Sequence, residues 1–177
     1  MAALESTPGS EGFTLIEVIL YIGIFSLIIG GIVSLAFLST AQRTQNQTRA
    51  DVNYQGQAVM ASIVQAIHQA KAITSPAPGN NSASLTLAMN DSSVDPTIFD
   101  TNIHSNYSAA EISEGSPGTQ NDLTNSTVTI SNLKFTNMSV GSSDNSILIT
   151  FDLTYNNTLN RQEFDYTQSF SGGATIP

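Results

Sequence analysis

Cysteine is absent from this chain, which excludes a disulfide frame and a thiolate metal site and leaves the redox compartment unreadable. Basic residues are scarce as well: five Lys and Arg stand against fourteen Asp and Glu, for a formal net charge of -9. So acidic a chain repels nucleic acid and anionic membrane surfaces, and no nucleic-acid partner is expected. No HExxH, GxSxG or phosphate-binding loop surrounds either histidine, His68 or His104. A catalytic base needs a convergent set of groups, and none assembles here. The sequence therefore predicts neither an enzyme nor a cofactor, and the two histidines read as solvated or partner-facing.

What the chain does have is one long apolar run, Gly12 to Leu38, GFTLIEVILYIGIFSLIIGGIVSLAFL, with a single charge, Glu17, near its front. About 20 predominantly apolar residues cross a hydrocarbon core of roughly 30 Å, and residues 13–38 exceed that. The run predicts a single membrane span, with lipid as its first surroundings. A carboxylate within it costs about 2.5 to 3.5 kcal/mol at mid-bilayer and less near the interface, so depth, protonation or a partner must relieve it. Two buried opposite charges become tolerable only when paired.

The contiguous GFTLIEV, Gly12 to Val18, resembles the class III signal of type IV prepilins and pseudopilins. The resemblance covers the first fifth of the chain. It implies that a prepilin peptidase cuts after Gly12 and that a methyltransferase N-methylates the new amino terminus, Phe13. It further implies that Glu17 pairs with the terminal amine of a neighbouring subunit while an inner-membrane assembly platform builds a filament. Residues four apart share a helix face, so Glu17 could also neutralise its own terminus before assembly. Residues 1–12, MAALESTPGSEG, are too short and polar for a secretory signal and suit a processed leader. They depart from the family in carrying Glu5 and Glu11 and no Lys or Arg. The basic residues nearest the span, Arg43 and Arg49, lie on its carboxyl side, which by charge alone would keep the bulk of the chain in the cytoplasm. The motif is the more specific signal. It implies a bacterial protein of the cytoplasmic (inner) membrane that passes into an extracellular or envelope filament.

After Leu38 the helix continues into water. Ser39 to Asn53 is rich in Gln, Thr, Arg and Asn without Pro or Gly. From Val52, apolar residues recur at Val59, Met60, Ile63, Val64, Ile67 and Ala70, a stripe at helical spacing, until Pro76, Pro78 and Gly79 end it. From Phe13 to about Ile73 such a helix would reach roughly 90 Å if straight. Gly23, Gly30 and Gly31 are its weak points, read either as close-packing residues or as a segment (Gly30, Gly31) that melts when the subunit leaves lipid. Pilins often carry a helix-breaking proline here; this chain has none.

Period-two alternation follows. It predicts strands over Ser84 to Met89, Thr127 to Ser131, Leu133 to Val140 with a one-residue shift that suggests a bulge, Ser146 to Tyr155, and Gln162 to Phe170. Asn156 to Arg161 reads as the loop of an antiparallel hairpin. One apolar face per strand and one stripe on the helix predict an α+β fold: a long N-terminal spine helix packed on an antiparallel sheet of about four or five strands. The expected domains are a leader (1–12), a transmembrane half-helix (13–38), an amphipathic half-helix (39–75) and a sheet domain (76–177). A polar, variable segment at about 90–124 is expected to hide a short helix or strand pair.

Asp91, Asp95 and Asp100 in that segment are weak candidates for calcium, without EF-hand spacing, and no other metal site is expected. Asn-x-Ser/Thr recurs at Asn46, Asn80, Asn90, Asn106, Asn125, Asn137 and Asn156, mostly a matter of composition. Three functions fit these readings: a structural subunit of a pilus-like filament, a minor or specialised one; a pseudopilin of a type II secretion or DNA-uptake machine; and a monomeric binding protein tethered by its helix.

Overall fold

The computed structural model describes residues 12, 14–139 and 145–177. Among the described residues one α-helix, α1 (Leu15–Gln69), is followed by nine strands: β1 (Ala70–Ser75), β2 (Asn81–Ser82), β3 (Leu85–Met89), β4 (Thr97–Ile103), β5 (Ser108–Glu114), β6 (Thr119–Asp122), β7 (Val128–Asn137), β8 (Ser146–Tyr155) and β9 (Thr167–Thr175). The fold is α+β, a long N-terminal helix packed on antiparallel sheets. The chain divides into two compact units, one ending at Gln42 and the other running from Arg43 to Pro177.

The second unit holds all the strands. They form two sheets, of order β1-β3-β4-β5-β6 and β2-β7-β8-β9, where the alternation alone predicts one sheet of similar size. Both sheets and α1 share one core. Val52, Val59, Ile63 and Ile67 of the helix stripe are buried with Leu85, Leu87 and Phe99 of the first sheet and Phe135, Ile149, Phe151 and Leu153 of the second. Gly56 is part of this seam: a Cβ there would strike the Phe170 ring, so glycine leaves room for that ring against the helix. Phe170 in turn stacks on Phe151, with ring centroids 5.2 Å apart.

A polar clasp fixes the helix on the sheets. Gln55 is buried, and its amide donates to Asn125 Oδ1 and Thr127 Oγ1, both at 2.9 Å, while its Oε1 accepts from the Asn125 amide at 2.9 Å. A buried amide with its donors and acceptor engaged costs little, so the helix is pinned to the turn that opens β7.

Several boundaries differ from those the periodicity predicts. The helix ends at Gln69 rather than near Ile73, and Ala70–Ser75 turns directly into β1, paired with β3. Ile73 and Thr74 are β-branched, and Pro76 disfavours the α conformation at Ser75, so a vacant sheet edge outcompetes another helical turn. The two stretches expected between Thr127 and Val140 are one strand, β7, which ends at Asn137 and has its register shift between Ser131 and Lys134, with Asn132 at φ 54°; Val140 lies outside the described residues. Strand β8 has the expected bounds, but its partner starts at Thr167. Residues from Gln162 to Phe164 form a 3-10 turn, and Phe164 stacks on Tyr155 instead of entering the sheet. The segment expected to vary, about 90–124, holds three strands, β4 to β6.

Candidate functional site

The apolar run forms the first part of α1, and every residue from Val18 to Thr40 is exposed. Leu27 and Phe37 are 79% and 74% accessible. This is the one helix among the described residues that is long and apolar enough to cross a membrane, and it lies near the N-terminus. Three of its hydroxyls are satisfied within the helix. Ser26 donates to the Ile22 carbonyl at 2.7 Å, Ser34 to Gly30 at 2.9 Å and Thr40 to Ala36 at 3.0 Å. Such bonds to the carbonyl four residues back satisfy a polar side chain inside its own helix, as hydrocarbon surroundings require. The helix runs unbroken through Gly23, Gly30 and Gly31, and a Cβ at any of them would meet open space.

Glu17 sits in the first turn of this helix and is half-buried. Thr14 precedes the helix, its carbonyl accepting from the amides of Glu17 at 3.1 Å and Val18 at 3.3 Å, with its Oγ1 3.4 Å from the Glu17 nitrogen. Thr14, Leu15, Ile16 and Glu17 thus spell the S/T-x-x-E of a capping box, a signal the sequence carries alongside the signal-like motif. One turn further on, the Tyr21 hydroxyl donates to Glu17 Oε1 at 3.4 Å. Glu17 can therefore serve the helix start and still present a carboxylate at its N-terminal end. Gly12 is exposed, while Phe13, the expected cleavage product and methylation site, lies outside the described residues together with the rest of the leader.

The calcium candidates do not converge. Asp91 lines a cleft of about 530 Å³ with Ser62, Gln65, Gln69, Asn90 and Glu114, but its Oδ1 is engaged by the Ser93 amide at 2.9 Å and hydroxyl at 2.7 Å. Those two bonds, the amide's first, hold the Asp91 carboxyl below its ordinary range. Asp95 accepts from the Met89 amide at 2.8 Å, and Asp100 lies on β4 opposite Glu111. Among the described residues no group of three or more His, Cys, Asp and Glu could hold a metal.

Strand pairing brings together a cluster that no motif announces. Asp100 on β4 faces Glu111 on β5, which faces Asp122 on β6. Glu111 is only 5% accessible, and Asp100 Oδ1 is buried without a hydrogen-bond partner among the described residues. Burial, then the charges of Asp100 and Asp122, push the Glu111 carboxyl up from its ordinary value, opposed by the charge of His104 and a hydrogen bond from Asn102. His104 Nε2 lies 2.8 Å from Asp122 Oδ2, and the imidazole stacks on Tyr107 at 4.5 Å. The acids sit eleven residues apart in the chain, so only the register of three strands reveals them. His68 is exposed in the last helical turn.

No protein-family model, no curated protein and no solved structure matches the chain. The functional reading rests on the residues themselves.

Proposed function

We propose that this chain is a structural subunit of a type IV pilus-like filament, a minor or specialised one: cut after Gly12, N-methylated on Phe13 and assembled from the bilayer through its apolar helix and Glu17. The observation that carries the proposal is Glu17, a carboxylate in the first turn of a helix whose apolar side chains from Val18 to Leu38 are exposed on every face. A helix hydrophobic all round is stable in lipid or among other helices and not in water. An acid at its tip, four residues after the residue that would carry the new amine, gives neighbouring copies a way to pair charges in a low-dielectric core. Such pairing is head-to-tail, and contacts of that type propagate open fibres.

Two measurements test this. Native material should have an intact mass and amino-terminal sequence that begin at Phe13 with one added methyl group; a retained leader overturns processing and favours a tethered monomer. Glu17→Gln is the informative variant, because glutamine still completes a capping box but carries no charge. Loss of fibres with the helix intact supports the charge pairing, whereas fibres at ordinary yield exclude it. Shearing then separates a surface fibre from a membrane-resident piston, the pseudopilin alternative.

A further inference from the structure

The clefts of the second unit differ in charge. Two of them, of about 530 and 580 Å³, lie against α1 and carry two acids each, Asp91 with Glu114 and Asp51 with Asp122. Another, of about 430 Å³, opens between the β4–β5 turn, the turn that leads into β7 and the end of β8. Tyr107 and Tyr155 line it together with Asn106, Asn156, Ser126 and Thr158. Among the described residues that line it, none is charged and none is Leu, Ile, Val or Met. A chain of net charge -9 thus keeps one cleft walled only by rings, amides and hydroxyls.

Its walls are held by bonds that leave the lining groups free. The His104 amide donates to the Tyr107 carbonyl at 2.9 Å and closes the β4–β5 turn, and the Tyr107 ring stacks on the His104 imidazole. At the other wall the Asn156 amide donates to the Thr127 carbonyl at 2.8 Å and its side-chain amide to the Ser126 carbonyl at 3.0 Å, while Tyr155 stacks on Phe164 at 5.6 Å. Each tyrosine is therefore braced by a second ring and keeps its orientation. The side-chain polar groups of Asn106, Tyr107, Ser126, Tyr155 and Thr158 have no hydrogen-bond partner among the described residues. Three of the Asn-x-Ser/Thr sites meet here. Asn125 and Asn156 are spent on fixing turns, which leaves Asn106 as the exposed amide with both ends free.

We propose that this cleft binds a neutral sugar ring, free or at the end of a glycan, with the tyrosine rings against its C–H face and Asn106 against its hydroxyls. A sugar presents hydroxyls that both donate and accept, beside C–H groups that form a flat apolar patch. Phenol, hydroxyl and primary amide groups likewise both donate and accept, and tyrosine adds a rigid apolar surface with few torsions to freeze. The lining offers no cation for a phosphate or carboxylate, no acid for an amine and no aliphatic wall for a lipid tail. Its volume lies within the roughly 300–1,000 Å³ of small-ligand sites. Neither the leader, the apolar helix nor Glu17 takes part, so the cleft stands apart from the filament reading.

Saturation-transfer NMR on the full chain in phosphatidylcholine nanodiscs, which carry no sugar, tests this. The probes are glucose, galactose, mannose and N-acetylglucosamine, each free and as its methyl glycoside, at millimolar concentration. At least one should give a saturable signal. A free sugar bound as well as its glycoside supports a monosaccharide ligand, and a favoured glycoside supports a glycan end. Asn106→Ala, in an exposed turn, and Tyr155→Phe, which keeps the ring stack and loses only the hydroxyl, should each weaken binding about three- to tenfold, as loss of one hydrogen bond does. Both variants should melt at the parent's midpoint, and Tyr54→Phe, on the acidic cleft against α1, should bind as the parent does. Five results would each overturn the proposal: no signal from any probe, a signal indifferent to both substitutions, a stronger signal from glucuronate or glucosamine than from any neutral sugar, a stronger signal from an uncharged Gly-Ser peptide, or a covalent glycan on Asn106 of native material.

Discussion

Between Val18 and Thr40 every side chain of α1 is exposed, whereas between Thr48 and Ile67 the same helix buries Thr48, Val52, Gln55, Gly56, Val59, Ile63, Ala66 and Ile67 against two sheets. The second stretch keeps its apolar residues on one stripe, and the strands of the chain cover that stripe. The first spreads them around the whole circumference, where no element of this chain could cover them at once. The contrast teaches that one helix can be finished along part of its length and unfinished along the rest. The finished part determines the fold, and the unfinished part implies surroundings that the chain does not itself supply, lipid or other helices.

The largest test of that contrast is a matched pair of truncations. Ile63→Ala should destabilise the sheet-bearing unit by about 2–5 kcal/mol through lost burial and a cavity. Ile28→Ala, in the exposed stretch, should change it by less than about 0.5 kcal/mol, as surface substitutions do. Denaturant unfolding of the full chain in detergent, followed by tyrosine signals, compares them, and equal losses would break the contrast. Gln55→Ala should cost about 1–3 kcal/mol in the same assay, because it removes the three hydrogen bonds that this buried side chain makes to the turn before β7, where Asn125 and Thr127 remain within reach of water. A double-mutant cycle with Thr127→Val should show the two positions coupled.

A smaller effect comes from Glu111. Its carboxyl is raised in the folded protein, so above the folded value the ionised group opposes folding. As pH falls through that value the folded state takes up its proton before the unfolded chain does, and stability rises until the ordinary carboxylate range is passed. Glu111→Gln should therefore flatten the pH dependence above that range and raise the melting midpoint at neutral pH by a few degrees. A midpoint lowered at neutral pH would show that the buried carboxylate supports the sheet. The smallest effect is expected at Tyr21, whose hydroxyl meets Glu17 at 3.4 Å. So long a bond contributes little, and Tyr21→Phe should alter fibre yield by less than about twofold, against the loss expected from Glu17→Gln.

Legibility in the sequence followed the range of the interactions. Strand β8 was readable to the residue, because Ile147, Ile149, Phe151 and Leu153 alternate without interruption and all four are buried. The shift in β7 was visible in its pattern, since a bulge moves the apolar side of a strand by one residue. Strand β9 was displaced from its expected start, because Phe164 and Tyr166 alternate like strand residues while Phe164 is used in a ring stack. Strands β4 to β6 stayed hidden in a polar stretch: Asp100, Asn102, Glu111 and Asp122 occupy strand positions that simple alternation does not assign to them.

By itself the sequence determined the length and all-round apolarity of the first helical stretch, the place of its single acid, and the stripe that demands a sheet. These are properties of period and composition, carried by neighbouring residues. Tertiary structure alone decided that the strands divide into two sheets, that the helix yields to β1 at Gln69, and that three acids meet across β4, β5 and β6. Each of those outcomes depends on which distant segment wins a hydrogen-bonded edge, a competition among pairings far apart in the chain that no local pattern encodes.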